Sequence, residues 1–151
     1  MRILAITLFL ISAPVFACPN LAGNYATCRS VNGYSAGQTD MVVTQKIQNK
    51  ITTFEVSAIN NETNEREYET YKADGRRYSQ VITDEDSGMT LETSSIISCT
   101  NKSLNIKMEM KLDGYSAGYQ TITVSKVGTQ LIVDSKSYDG DETIVDKEIC
   151  E

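Results

Sequence analysis

Four cysteines, together with a complete lack of histidine, limit the chemistry open to this chain. The cysteines are Cys18, Cys28, Cys99 and Cys150. Histidine is the commonest general base and a frequent metal ligand, so its absence excludes Ser–His and Cys–His catalysis and imidazole-containing zinc sites. An even set of cysteines is typical of an exported protein stabilised by disulfides. We therefore predict two disulfides, no cofactor and no enzyme.

The pairing of these cysteines has three possible arrangements, and their spacing does not choose among them. In a closed barrel the first and last strands are neighbours, which would bring Cys18 near Cys150 and leave Cys28 with Cys99. The arrangement Cys18–Cys99 with Cys28–Cys150 stays open. Each bridge is expected to stabilise the fold by about 2–4 kcal/mol.

Two tyrosines stand in identical five-residue surroundings. The sequence Gly33-Tyr34-Ser35-Ala36-Gly37 recurs as Gly114-Tyr115-Ser116-Ala117-Gly118. A glycine-flanked tyrosine presents a rigid ring with a hydrogen-bonding tip, which is a common recognition element. Tyr34, Ser35, Tyr115 and Ser116 are therefore candidates for two interaction loops. The alternative is a good hairpin loop that was inherited twice.

The recurrence extends beyond the two tyrosine motifs. At the same offset of 81 residues Cys18 corresponds to Cys99, and from Lys46 onward the correspondence continues one residue shorter. These flanking matches favour a partial duplication in which residues 18–59 are echoed by 99–138.

Alternation of apolar and polar residues with a period of two runs through most of the chain. It is clearest where Leu104, Ile106 and Met108 alternate with Asn105 and Lys107. An apolar face opposite a polar face is what a half-buried antiparallel strand requires. Similar patterns predict about ten strands, at residues 23–29, 41–48, 54–58, 65–73, 78–83, 89–98, 103–112, 120–126, 130–138 and 143–149.

Glycine-containing turns separate these strands. Asn32-Gly33, Asp74-Gly75 and Asp113-Gly114 readily adopt the positive φ values of tight turns. We predict a hairpin around Asp74-Gly75 in preference to a helix over residues 65–73. Short strands with short loops predict an all-β fold, an antiparallel up-and-down β-barrel of about 8–10 strands that closes to remove exposed edges. In such a meander the two tyrosine loops lie at the same end.

The segment Leu21-Ala22-Gly23-Asn24-Tyr25 resembles the Gly-x-Trp opening of lipocalins and related small barrels. Tyr25 stands where that family has a tryptophan that plugs the closed end of the barrel. The resemblance implies a lipocalin-like architecture and, through it, an interior that holds a small molecule.

Polar residues share strand faces with apolar ones at several positions, among them Thr70, Thr93, Ser95 and Ser135. Polar side chains that face the interior of a barrel predict a cavity for water or an amphipathic ligand. A slip of one residue in the assigned strand faces would instead move them to the surface. The predicted ligand-binding residues are Gln45, Phe54, Tyr68, Tyr78 and Gln80.

Two acidic turns, at residues 84–88 and 139–142, carry carboxylates that could in principle bind calcium. Neither has the ligand spacing of an EF-hand loop. We expect solvated turns and no metal.

The first residues have the pattern of a signal peptide. Arg2 precedes an apolar run over residues 3–12, and Val15-Phe16-Ala17 forms a cleavage site, so residues 1–17 are predicted to be removed. Residues 18–151 then form a single domain in the periplasm or outside the cell. Lipid anchoring at Cys18 is less favoured, because Val15 and Phe16 do not fit a lipoprotein site and the remaining cysteines would be odd in number.

Charge restricts the partners of the chain. Removal of residues 1–17, whose one charged side chain is Arg2, changes the formal net charge from -6 to −7. Nucleic-acid binding needs clustered lysine and arginine, so it is excluded, and no segment is predicted to span a membrane. We expect a monomer that binds a small apolar or amphipathic ligand in its cavity. The alternative is an interaction or inhibitor module that binds a protein partner through the paired loops.

Overall fold

The computed structural model describes residues 17–83 and 88–151. The predicted signal peptide, except Ala17, and residues 84–87 of the first acidic turn lie outside the described residues. Antiparallel pairing joins ten strands into one sheet, and they are β1 (Gly23–Ser30), β2 (Gln38–Gln48), β3 (Ile51–Asn60), β4 (Arg66–Ala73), β5 (Arg77–Thr83), β6 (Thr90–Cys99), β7 (Ser103–Leu112), β8 (Tyr115–Val127), β9 (Gln130–Tyr138) and β10 (Thr143–Cys150).

The order of strands in the sheet follows the chain, with one exception. The order is β4-β3-β2-β1-β10-β9-β8-β7-β6-β5, so the first and last strands are neighbours. The β1–β10 ladder, which we call the seam, pairs Cys28 with Cys150 and Ser30 with Glu148. The predicted all-β, antiparallel, up-and-down architecture is confirmed.

The sheet forms a half-barrel, because its edge strands β4 and β5 do not pair with each other. The predicted hairpin around Asp74-Gly75 is therefore wrong, and so is full closure of the barrel. The Gly75 N–H instead donates to the Ile97 carbonyl of β6 at 2.9 Å. Closure would also enclose Glu67 and Glu69 on the inner face of β4, at the cost of removing their carboxylates from water.

Both predicted disulfides are present, and both join the same two parts of the sheet. Cys28–Cys150 crosses the seam, whereas Cys18–Cys99 joins the segment before β1 to the end of β6. Each bridge thus links a four-stranded lobe (β1–β4) to a six-stranded lobe (β5–β10). The pairing of Cys18 with Cys150, which full closure suggested, is wrong because the segment before β1 reaches the end of β6, where Cys18 is bonded to Cys99. No free cysteine is present in the described chain.

Tyr25 closes one end of the interior, next to the segment that precedes β1. Its side chain is buried, and its hydroxyl donates to the Leu21 carbonyl at 2.9 Å. The Lys126 ammonium lies 5.7 Å from the centre of the Tyr25 ring and donates to the Ala22 carbonyl at 2.8 Å. These contacts fix the floor of the interior.

The ladders around the two tyrosine motifs have the same register. Gly23 pairs with Val43 in β1–β2, and Leu104 pairs with Val124 in β7–β8, so both partners are shifted by 81 residues. The two-residue turns that follow these ladders lie at 49–50 and 128–129, so the offset between the two copies has fallen there from 81 to 79 residues. The second copy is therefore two residues shorter at this turn, not one. The duplication itself stays a prediction, which the shared register supports.

The closing glycines of the two motifs have similar surroundings. A Cβ atom on Gly37 would collide with the Cys28 carbonyl oxygen, and one on Gly118 would collide with that of Tyr138. Both positions thus require the close approach of a neighbouring strand that only glycine permits.

Candidate functional site

An apolar cavity of about 160 Å³ lies between the two lobes. The four-stranded lobe and the six-stranded lobe both contribute aliphatic or aromatic side chains to it. Leu21 and Leu104 line it near the floor, and both are buried. The remaining apolar lining consists of Met41, Val43, Phe54, Val56, Ala58, Tyr71, Ile106, Ile122, Val124, Leu131 and Val133.

The other end of the cavity is polar and carries three carboxylates. This end, the mouth, is lined by Gln38, Glu67, Glu69 and Glu148. Gln38 begins β2, Glu67 lies near the start of β4, and Glu148 pairs with Ser30 at the end of β1. The mouth is therefore at the end of the sheet that carries the β1–β2 connection. Its glutamates belong to no motif that is visible in the sequence.

The five predicted ligand-binding residues are not brought together in one site. Phe54 is fully buried in the cavity wall. Gln45 lies on the adjacent strand, where its Oε1 atom accepts a hydrogen bond from the Leu21 N–H at 3.2 Å. Its amide therefore supports the floor of the interior, and it is not among the residues that line the cavity.

Tyr68 lies on the face of β4 opposite to the one that was predicted. Tyr71 pairs with Phe54 and Glu69 pairs with Val56, so the odd-numbered residues of β4 face the cavity. Tyr68 consequently points to the other face of the sheet and is 76% exposed. Thr70 shares that outer face for the same reason.

Tyr78 and Gln80 line a second cleft, of about 380 Å³, on the concave face of the six-stranded lobe. Thr93 and Ser95 of β6 and Met108 of β7 contribute to its wall, so these polar side chains face the interior as the sequence indicated. Every residue of β5 is exposed, which leaves this cleft with less burial than the apolar cavity. The Tyr78 hydroxyl donates to Asp74 at 2.5 Å.

The first tyrosine motif forms a loop that is attached to β10. The Ser30 hydroxyl donates to Asp146 at 2.8 Å and accepts the N–H groups of Gly33 and Tyr34. The Ser35 hydroxyl donates to Glu148, which is one of the carboxylates at the mouth. Tyr34 itself is exposed, so the loop presents this ring while its base is fixed beside the cavity.

The second tyrosine motif lies mostly in a strand. Asp113 and Gly114 form a two-residue turn with positive φ, and β8 begins directly at Tyr115. Tyr115 is exposed, and Ser116 pairs with Lys111 in the ladder. The two motifs therefore lie at the same end of the sheet, as the meander predicts, but they have different conformations.

Glu69 is the carboxylate at the mouth whose charge is disfavoured. Its side chain reaches solvent, yet the cavity wall partly removes the carboxylate from water. This desolvation, and then the negative charge of Glu67, raise the pKa of Glu69 above its ordinary value of 4.5.

We expect Glu69→Gln to stabilise the fold slightly at neutral pH. Because the folded state raises this pKa, native Glu69 lowers the free energy of unfolding as the pH rises through 4.5 and above. Glu69→Gln has no carboxyl group to titrate at this position, so its free energy of unfolding should exceed that of the native protein. This difference should shrink as the pH falls towards 4.5. Thermal unfolding from pH 4 to pH 8 measures this difference. Glu62→Gln, in the exposed turn after β3, is the control, and an advantage of Glu69→Gln that does not depend on pH would contradict the assignment.

The described residues contain no group of three or more acidic or cysteine side chains positioned to hold a metal ion. In the second acidic turn, Asp139 instead accepts the N–H groups of Glu142 and Asp141, and these hydrogen bonds lower the pKa of its carboxyl. No helix long and apolar enough to cross a membrane occurs in residues 17–83 and 88–151.

Comparison with protein-family models, with curated proteins and with solved structures finds no match to this chain. The lipocalin resemblance therefore extends to the antiparallel half-barrel architecture and no further.

Proposed function

We propose that this protein binds a small molecule whose apolar part occupies the cavity between the two lobes. The observation that carries the proposal is the cavity itself, about 160 Å³ in volume and lined by aliphatic and aromatic side chains. An apolar protein cavity of about 150 Å³ stays dry and binds benzene-sized ligands. A single ring or a short aliphatic chain is thus the part of a ligand that this cavity can hold.

The two disulfides indicate an oxidising compartment. Together with the predicted signal peptide, this supports a site of action in the periplasm or outside the cell. We propose a binding protein and not an enzyme, because the sequence contains no histidine and the described residues contain no free cysteine to act as a catalytic base or nucleophile.

Toluene is a suitable first probe of the cavity. We expect saturation-transfer NMR to detect toluene bound to the native protein and to show a loss of binding, by about tenfold or more, in Ala58→Leu. Ala58 is buried and lines the cavity, so the larger side chain occupies the volume that the probe needs. Ala26→Leu, at an exposed position of β1, should bind toluene normally.

Thermal unfolding of both leucine variants shows whether they fold. The proposal fails if the native protein does not bind toluene. It also fails if folded Ala58→Leu binds toluene as well as the native protein does.

An interaction module is a second candidate, favoured by one observation. Tyr34 and Tyr115 are 63% and 80% exposed at the same end of the sheet. Exposed tyrosines on a fixed scaffold are typical of recognition surfaces. Under this alternative, Tyr34→Ala combined with Tyr115→Ala abolishes capture of a protein partner and leaves toluene binding intact.

A further inference from the structure

We propose that the cavity selects cationic ligands, namely amines attached to an apolar ring or chain, through the carboxylates of Glu67, Glu69 and Glu148. This inference rests on the proposed binding function and specifies the ligand class for the same site.

The carboxylates approach the mouth from two sides. Glu67 and Glu69 lie two residues apart on the inner face of β4, which places them about 7 Å from each other along the strand. Glu148 comes from β10, and β3, β2 and β1 separate β4 from β10 in the sheet. A positive group at the mouth would therefore have acidic side chains on both sides.

These charges are not neutralised by the protein. Within the described chain, no lysine or arginine forms an ion pair with Glu67, Glu69 or Glu148. The hydrogen-bond donors to Glu67 and Glu148 are the uncharged side chains of Asn60 and Ser35.

Among the described residues, a lysine on the inner side of the sheet, Lys126, is engaged away from the mouth. Lys126 lies over Tyr25 and donates to the Ala22 carbonyl at the floor, so it does not reach the mouth. Carboxylates that border an apolar space without a counter-charge are unfavourable, and a bound cation would offset that cost. The raised pKa of Glu69 is consistent with this unpaired environment.

The apolar wall indicates an organic cation rather than a metal ion. Calcium takes six to eight oxygen ligands and magnesium keeps several bound waters, so neither needs aliphatic surroundings. Below the mouth, the lining is aliphatic or aromatic down to Leu21 and Leu104. A ring in the cavity with an ammonium group at the mouth satisfies both halves of the site, whereas a carboxylate there would be repelled.

Three probes that share one ring test the inference: toluene, benzylamine and benzoate. Benzylamine is positively charged at neutral pH, and we expect it to bind the native protein about tenfold more tightly than toluene does, with benzoate the weakest. A charge-assisted hydrogen bond supplies a gain of this size. Glu69→Gln should remove the advantage of benzylamine over toluene.

Glu67→Gln is a second variant that should lower benzylamine affinity in the same direction, and exposed Glu62→Gln should not change it. If toluene does not bind, the proposed function fails. If toluene binds but benzylamine has no advantage, or retains its advantage in both mouth variants, the selectivity for cations is overturned. Displacement of benzylamine by millimolar calcium at constant ionic strength would also overturn it, because the mouth would then be a metal site.

Discussion

Removal of the Cys28–Cys150 disulfide, by Cys28→Ala with Cys150→Ala, is expected to lower the free energy of unfolding by about 2–5 kcal/mol. The bridge closes a span of 122 residues and therefore restricts the unfolded chain strongly. Both cysteines are also buried, so their loss leaves a void at the seam. A domain of this size is stabilised by only about 5–15 kcal/mol in total.

The seam is a shorter ladder than its neighbour on the other side of β10. It has three paired positions, whereas β10 and β9 pair at eight. Without the disulfide, the lobes are held along this line by these pairs and by further backbone hydrogen bonds of Thr27 with Glu151 and of Val31 with Lys147.

The Cys18→Ala with Cys99→Ala variant is the matched control. Its bridge spans 81 residues, so the loop-entropy contributions of the two bridges differ by only about 0.4 kcal/mol. Urea denaturation without reductant should show a larger loss for the seam variant. Equal losses would mean that burial at the seam adds nothing beyond the cross-link, and no loss would contradict the expected role of the bridge.

Phe54→Ala is expected to destabilise the fold by about 3–5 kcal/mol. Phe54 is fully buried, forms part of the cavity wall and pairs with Gln45 and Tyr71 on the flanking strands. Truncation removes its burial and enlarges a cavity that the surrounding sheet cannot fill by collapse.

Tyr68→Ala is the control for Phe54→Ala, because the two aromatics lie on neighbouring strands but on opposite faces. Exposed Tyr68 should change stability by no more than about 0.5 kcal/mol. Denaturation midpoints of the two variants test both expectations. Similar losses for Phe54→Ala and Tyr68→Ala would contradict the assignment of strand faces in β4.

The strands of this fold were predictable because most of them alternate cleanly. In β7, Leu104 and Ile106 are buried while Lys107 is exposed, and the sequence pattern alone gives the correct face. The turn dipeptides then separate the strands, and the meander follows from short connections. Local patterning was therefore sufficient for the architecture.

The face of β4 could not be predicted, because neither alternating set in that strand is apolar. One set contains Glu67, Glu69 and Tyr71, and the other contains Tyr68 and Thr70. Pairing with β3 decides between them, since Tyr71 lies opposite buried Phe54. This long-range register also brings the mouth glutamates to the cavity, which explains why the sequence did not indicate them.

The gap between β4 and β5 was missed for a related reason. Asp74-Gly75 has good hairpin chemistry, but turn chemistry does not reveal that Gly75 bonds to Ile97 of β6. Turn propensity describes a local bend and does not determine which strands pair across it.

The seam has a consequence for the order in which the chain folds. Each lobe is a meander of consecutive hairpins, so its ladders can form from contacts that are local in sequence. The seam instead joins strands about 120 residues apart, and such non-local pairing is slow because the loop-closure entropy must be overcome first. Docking of the lobes is therefore a late event that waits for β10. Because both disulfides cross between the lobes, their oxidation marks completion of the binding cavity.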